Sequence, residues 1–220
     1  ASDHGIYGAV ERVSDHLAMP AQGKPRQVLW RIYSQRAILC GGATERPIAF
    51  ENNDRPGIML AGALRAYANR WGVAVGQRVA VFTNNDDGLR TAADLTAKGI
   101  DVVAVIDSRK GEEVIDSSGR LGLTAITVRD GKGRIRKIGV DALGISGGWN
   151  PNVNIHSHHR ARPVYDPALA AFVPGADGPP GLTVAGAAAG TFSTHAALRT
   201  GRDAALAAME RPLFEQVLAE

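Results

Sequence analysis

The chain reads as an α/β protein, and three observations carry that expectation. Arg78-Val-Ala-Val-Phe-Thr83 is a short apolar run of strand character, and Ile100-Asp-Val-Val-Ala-Val-Ile-Asp107 is a second. Between them Leu89, Ala92, Ala93 and Leu95 line one stripe of a helix that Gly99 stops. A strand-helix-strand connection is right-handed in nearly all cases, so the two strands are expected to run parallel with the helix N-terminus at the carboxyl end of the first. The third observation is that both flanks supply further strands, and that neither supplies enough for a closed sheet.

The elements follow in order. Leu121 to Arg129 and Arg134 to Asp141 alternate as an antiparallel pair would, with Asp130-Gly131-Lys132-Gly133 as the turn. Ala142 to Ser146 is a short apolar strand ending at Gly147-Gly148. Residues 73–146 thus make an α/β unit of a size that folds around its own core. Upstream, Ile6 to Val13, Gln27 to Ser34 and Arg36 to Cys40 are strands, with a loop from Met19 to Pro25 joining the first two. Arg55 to Trp71 follows as a helix with Leu60, Leu64, Tyr67 and Trp71 on one face. Downstream, Gly181 to Ala185 is a strand, Gly186 to Gly190 a small-residue turn and Thr194 to Met209 an alanine-rich helix, after a loop-rich stretch over 153–181. The flanks 1–72 and 147–220 are therefore read as one discontinuous domain interrupted by the unit over 73–146.

Composition narrows the class. With 220 residues, 45% apolar and 21% charged, the chain buries a core and is neither a disordered polyelectrolyte nor a fibrous repeat. Its 25 basic and 22 acidic side chains are scattered, with no basic stripe of the kind that nucleic acid requires, and no apolar run spans a bilayer. Neither nucleic acid nor a membrane is expected as partner. The single cysteine, Cys40, excludes an internal disulfide framework and fits a reducing, cytoplasmic compartment. The chain opens on Ala1 with strand-like sequence close behind, and reads as a piece cut from a longer protein.

Several segments together carry a resemblance. Ala37-Ile-Leu-Cys-Gly-Gly-Ala-Thr-Glu-Arg-Pro47 resembles the strand and "TGxxxRxP" junction at which two-dinucleotide flavoproteins leave the flavin domain for the nicotinamide domain. Leu182-Thr-Val-Ala-Gly-Ala-Ala-Ala-Gly190 is similar to the last strand and turn of that flavin domain, and the order of pieces is that of the thioredoxin-reductase type. More specific are Glu45 to Ala61, Val81-Phe-Thr-Asn-Asn-Asp86 and Gly147-Gly-Trp-Asn-Pro151, which in combination resemble the α subunit of heterotetrameric sarcosine oxidase over essentially the whole chain. The resemblance implies a split FAD/NAD(P)-binding, Rossmann-like domain lacking its first β-α-β, with a smaller Rossmann-like, NAD-type domain inserted. It implies a complex that oxidises sarcosine with O2 and passes the one-carbon unit to tetrahydrofolate. It also implies NAD on the full-length α subunit, FAD or FMN elsewhere in the complex, and a β subunit with smaller subunits as partners. Gly41, Gly42, Ala43, Thr44, Arg46, Gly186, Ala187 and Thr194 are the cofactor-binding positions it marks. No catalytic residue is assigned, and the isolated chain is expected to be inactive as an oxidase, with no cofactor bound to it alone as one reading.

The departures from the pattern are equally specific. Neither a G-x-G-x-x-G nor a G-x-x-x-x-G-K-[ST] occurs. Ala187 stands where flavoproteins of this fold commonly place the aspartate that holds the ribityl chain. In the middle unit the turn reads Thr83-Asn84-Asn85-Asp86-Asp87-Gly88. A carboxylate about 4 Å from a phosphate costs on the order of 4 kcal/mol at an effective dielectric near 20, which offsets what a helix N-terminus contributes to anion binding. The low-specificity nucleotide candidates there are Thr83, Asn84, Asn85, Asp107 and Arg109. The alternative readings are that Asn85 or Asp86 caps the helix and that Asp107 starts a turn.

The remaining clusters read as structural. His156, His158 and His159 lack the ligand spacing of a zinc site. Ser193, Thr194 and His195 stand where they cap the last helix or touch a cofactor, and the G-x-S-x-G elbow of a hydrolase is absent. Arg46, Arg55 and Arg65 either receive an anionic cofactor group or make surface ion pairs. Two alternative functions remain: a non-catalytic scaffold with vestigial nucleotide sites, and a subunit of a related amine or opine dehydrogenase.

Overall fold

Four short apolar strands from the middle of the chain lie side by side, each parallel to its neighbour. The computed structural model that shows them describes residues 2–210 except positions 4, 21 and 159. In chain order the first elements are β1 (Ser2–Asp3), β2 (Ile6–Arg12), β3 (Gln27–Tyr33), β4 (Ala37–Leu39) and β5 (Ala43–Glu45). Next come β6 (Ile58–Leu60), α1 (Ala61–Ala66) with a π-helical turn over Tyr67–Trp71, β7 (Arg78–Thr83), α2 (Asp86–Ala97), β8 (Asp101–Asp107), β9 (Glu113–Ser118), β10 (Ala125–Arg129), β11 (Ile135–Gly139) and β12 (Ala142–Ser146). The chain then forms β13 (Trp149–Pro151), α3 (Asn154–Ser157), β14 (Val164–Asp166), β15 (Ala171–Val173), β16 (Leu182–Val184) and α4 (Thr194–Glu210).

Two units result: a middle unit, Glu45–Trp149, and a flanking unit, Ala1–Thr44 with Asn150–Glu220. In the middle unit the parallel sheet has the order β6-β12-β7-β8. Strand alternation sends Ala80, Phe82, Leu143 and Ile145 to one face, where they pack with Ile126 and Val128 of the antiparallel sheet β11-β10-β9. Val79 and Ala142 face the other way, onto Leu64 of α1 and Leu95 of α2. The sheet is thus covered on both faces, the usual condition for parallel strands, and the apolar runs of β7 and β12 follow from it. Gly144 admits α1 at close range, since a Cβ there would lie 2.6 Å from a Leu64 methyl.

In the flanking unit β2 and β3 form a hairpin, Ile6 opposite Tyr33 and Arg12 opposite Gln27, with β1 beside it. β4 and β16, far apart in sequence, pair in parallel, Ala37 with Leu182 and Leu39 with Val184.

Three expectations from the sequence change. Residues 55–71 are not one helix: Ile58–Leu60 is a strand, because it finds β12 as a parallel partner, Ile58 opposite Leu143. The residues read as one buried face divide accordingly. Leu64 is buried, whereas Tyr67 and Trp71 lie exposed on the π-helical turn, their rings 5.3 Å apart. The same pairing draws 45–72 into the middle unit, so the chain passes between units at 44/45 and 149/150 rather than at 72/73 and 146/147. Lastly, the stretch expected to be loop-rich carries the β14–β15 hairpin, two runs of three residues each, and β9, for which the sequence offered no element, pairs with β10.

Candidate functional site

The carboxyl edge of the middle sheet is where an α/β unit of this topology receives a nucleotide, between the strands that run to opposite sides. Here those strands are β7 and β12, and the candidates Thr83, Asn84 and Asn85 do come together there. Asn85 fills the crevice. Its Nδ2 donates to the Ser146 carbonyl (3.0 Å) and Ser146 Oγ (3.1 Å), bridging β7 to β12, while its Oδ1 accepts from the amides of Asp87 (3.0 Å) and Gly88 (3.3 Å) at the start of α2. Those amides are the donors a phosphate would need. Thr83 Oγ1 closes the turn through the Asn85 carbonyl and amide, and the Asn84 amide donates to the Ser146 carbonyl. Gly88 has a packing reason, because a Cβ would come within 2.4 Å of Thr83 Cβ.

Asp107 and Arg109 are also brought to this edge, where they satisfy each other. The guanidinium meets buried Asp107 through Nη2 at 2.9 Å and Asp86 through Nη1 at 2.7 Å. The hydrogen bond from Arg109 holds the Asp107 carboxyl below its ordinary range. The residues at this edge do not fit a pyrophosphate: the α2 amides are engaged, and Asp86 and Asp87 add carboxylates in the first turn.

A second constellation escaped the sequence reading. Glu45 is buried, its Oε2 accepts the Gly62 amide (2.9 Å) at the start of α1, and its Oε1 is buried without a hydrogen-bond partner. Burial pushes the carboxyl up, and Asp87 adds to the shift. Asp87 itself receives Trp149 Nε1 (3.2 Å) and Arg65 (3.5 Å), and Arg65 also reaches Asp94 (2.5 Å). The signal in the sequence was Gly62, whose missing side chain leaves room for Glu45, 2.6 Å from a Cβ there.

In the flanking unit, Gly41, Gly42, Ala43 and Thr44 follow the carboxyl end of β4, and Gly186 and Ala187 follow that of its parallel neighbour β16. The two loops therefore stand at one sheet edge. Gly42 and Gly186 adopt positive φ, 70° and 67°. Asn152, unremarked in the sequence, clamps the first loop: its Nδ2 donates to the Gly41 carbonyl (2.9 Å), its amide to the Gly42 carbonyl (3.0 Å), and its Oδ1 accepts Thr44 Oγ1 (3.0 Å). Thr200 ties the second loop to α4 by accepting the Gly186 amide (3.2 Å). Exposed Thr194 opens α4, while the Ser193 hydroxyl accepts the Ala196 amide and caps it.

The three arginines serve the middle unit, which is where Arg46 belongs. Arg55 bonds Ser117 Oγ (3.1 Å) and the Gly119 carbonyl, Arg65 is ion-paired as above, and Arg46 Nε is buried without a hydrogen-bond partner. His156 is buried with Nε2 3.3 Å from the Gly175 carbonyl, and His159 lies outside the described residues. Among the described residues no group of three or more His, Cys, Asp or Glu is placed to hold a metal, and no helix is long and apolar enough to cross a membrane.

Comparison with known proteins gives this geometry a family context. No family model matches the chain. The sarcosine oxidase subunit alpha of Rhizobium meliloti (strain 1021) is 44% identical over 214 residues, which take in 90% of this chain and 21% of that protein. The chain is similar to a segment of sarcosine oxidase subunit alpha. It spans about a fifth of that relative's length. Among solved structures, L-proline dehydrogenase from P. horikoshii shares the fold with a TM-score of 0.60 at 27% identity, covering 73% of this chain and 31% of that one. Thioredoxin reductase from Lactococcus lactis gives a TM-score of 0.60 at 13% identity, covering 83% and 66%. The α/β, Rossmann-like class read from the sequence is the class found.

Proposed function

We propose that these residues form a cofactor-binding and subunit-contact portion of a sarcosine oxidase α subunit. The full complex would oxidatively demethylate sarcosine, with O2 as electron acceptor and tetrahydrofolate as acceptor of the one-carbon unit. In this reading the nucleotide edge is that of the flanking unit. The observation that supports it is the meeting of two glycine-bearing loops, 41–44 and 186–187, at the carboxyl ends of adjacent parallel strands. Backbone there approaches a ligand closely because Gly42 and Gly186 carry no side chain. Asn152 and Thr200 hold the two loops in place.

The edge suits a dinucleotide in its small side chains, and Ala187 offers no carboxylate to a ribityl chain, which favours NAD over FAD. A nicotinamide, when bound, supplies a hydride acceptor. The residues here position the group and turn over nothing themselves, and the whole functions as a cytoplasmic complex with the β and smaller subunits.

Calorimetry of the full-length subunit tests the assignment. NAD is expected to bind, and Gly186→Val, which puts a branched side chain at a positive φ on the proposed edge, is expected to weaken it at least tenfold, a loss of about 1.4 kcal/mol. Unchanged affinity in that variant would remove the flanking edge from consideration. Peroxide production from sarcosine by the 220-residue chain alone would equally contradict its role as a non-catalytic portion.

A scaffold role is favoured for the middle unit by one specific observation. Asn85 occupies with its own side chain the crevice and the α2 amides that a nucleotide would use.

A further inference from the structure

One end of the middle unit concentrates positive charge. From Arg129 to Lys137, through the β10–β11 turn and most of β11, stand five basic side chains and one acidic one, a local charge of +4 in a chain whose net charge is +3. The arginines are neutralised at home: Arg129 pairs with Glu113, Arg134 with Asp130 (2.9 Å) and Arg136 with Glu112 (3.9 Å). Two lysines are not. No ion pair of Lys110 or Lys132 forms among the described residues, and Asp107, the carboxylate that senses Lys110, is spent on Arg109.

The fold brings these two lysines together. Lys110 ends the short turn that follows β8, and Lys132 sits in the β10–β11 turn. The turns meet backbone to backbone, since a Cβ on Gly111 would lie 3.2 Å from Gly131 Cα and one on Gly131 would lie 3.0 Å from the Lys110 carbonyl oxygen. Both lysines consequently line one notch of about 520 Å³, with Glu112, Asp130, Gly131 and Arg134. Two ammonium groups at one notch repel, and an anion between them relieves the repulsion. A phosphate would want a nest of free backbone amides. Here Asp130 takes the amides of Lys132, Gly133 and Arg134, and the Ser108 carbonyl takes that of Gly111. What remains suits carboxylates on a polypeptide: two point charges, Ile135 exposed by 63%, and the outer edge of β11, the last strand in the order β11-β10-β9. A sheet edge receives an extended peptide on such terms, backbone along the strand and side chains against the flanking groups. Basic side chains also guard edge strands against pairing with copies of their own kind. That role accounts for Arg134, Arg136 and Lys137 but not for Lys110, which belongs to no strand.

We propose that this end of the middle unit docks an extended acidic segment of another subunit of the complex, its carboxylates meeting Lys110 and Lys132 and its backbone running along the outer edge of β11. The inference rests on the sarcosine oxidase reading above and gives the subunit contact in that reading a place.

Assembly of the complex from the full-length α subunit and the remaining subunits tests it. Both lysines are exposed, so Lys110→Glu/Lys132→Glu leaves the fold intact. It is expected to weaken assembly at least tenfold at low salt and to flatten the salt dependence that wild type shows. Lys24→Glu/Lys98→Glu, an equal change of net charge at other exposed positions, is expected to assemble as wild type does. Carbodiimide cross-linking of the wild-type complex, followed by peptide mapping, is expected to join Lys110 or Lys132 to an Asp or Glu of a different subunit. Unchanged assembly of the first variant, equal weakening in the second, or cross-links that are absent or confined to the α chain overturn the proposal. Unchanged assembly with a lost affinity for an RNA oligonucleotide overturns it in favour of nucleic acid. An α subunit that forms no complex removes the sarcosine oxidase reading along with this inference, whereas a complex indifferent to both lysines removes this inference alone.

Discussion

At the scale of single residues, Glu45 and Asp107 carry opposite pH dependences. Burial raises the Glu45 carboxyl, so the folded protein favours its neutral form. That contribution is complete below the ordinary carboxylate range and is lost as pH rises through the raised value. Glu45→Gln keeps an acceptor for the Gly62 amide and is expected to flatten the decline, leaving the middle unit more stable than wild type at neutral pH. Urea denaturation at a series of pH values measures this, and an unchanged slope would count against a buried neutral carboxyl. Asp107 is lowered by the Arg109 hydrogen bond, so its contribution is present above the ordinary range and is lost as pH falls through the lowered value. Asp107→Asn is expected to weaken the unit at neutral pH and to make its acid limb shallower.

Asn85 makes a sharper residue-scale prediction. Asn85→Ala removes a helix cap, about 1 kcal/mol, and the bridge to Ser146, about 1 kcal/mol more. Native-state hydrogen exchange in the first turn of α2 is therefore expected to quicken by roughly thirtyfold. Capping by Asn85 could be read in the sequence, because an Asx residue ahead of an apolar-periodic run signals a helix start. Its second role could not be read, because Ser146 lies 61 positions away and only the parallel pairing of β7 with β12 brings it near.

At the scale of elements, strand and helix were distinguishable where a run was long and its periodicity uniform. β7 and β12 have the bounds that their apolar runs suggest, and β8 pairs with β7 in parallel as the strand-helix-strand spacing requires. Ile58-Met-Leu60 merged with the helix behind it, since three apolar residues ahead of an apolar stripe carry no period of their own. Only a partner strand decides such a segment. The close approach of α1 to β12 at Gly144 yields an element-scale test. Gly144→Val drives a branched side chain into Leu64 and is expected to cost about 3 kcal/mol or to prevent folding of the middle unit, read as a lower urea midpoint. A midpoint unchanged from wild type would show that α1 is free to move away.

At the scale of the molecule, the chain carries two sheet edges of the kind that accept nucleotides and has treated them differently. In the middle unit the donors are spent on Asn85 and the charges on one another. In the flanking unit the loops after β4 and β16 carry small side chains and are tied by Asn152 and Thr200. The sequence made the first edge visible through its acidic turn. The second was marked only by the family resemblance, which singled out 41–44 and 186–187, since residues 41 and 186 meet only when distant strands pair. Hydrogen exchange of the full-length subunit with and without NAD tests the division most directly. Slower exchange over 41–44 and 186–194, with 83–88 unchanged, is the predicted result, and slowing confined to 83–88 would contradict it.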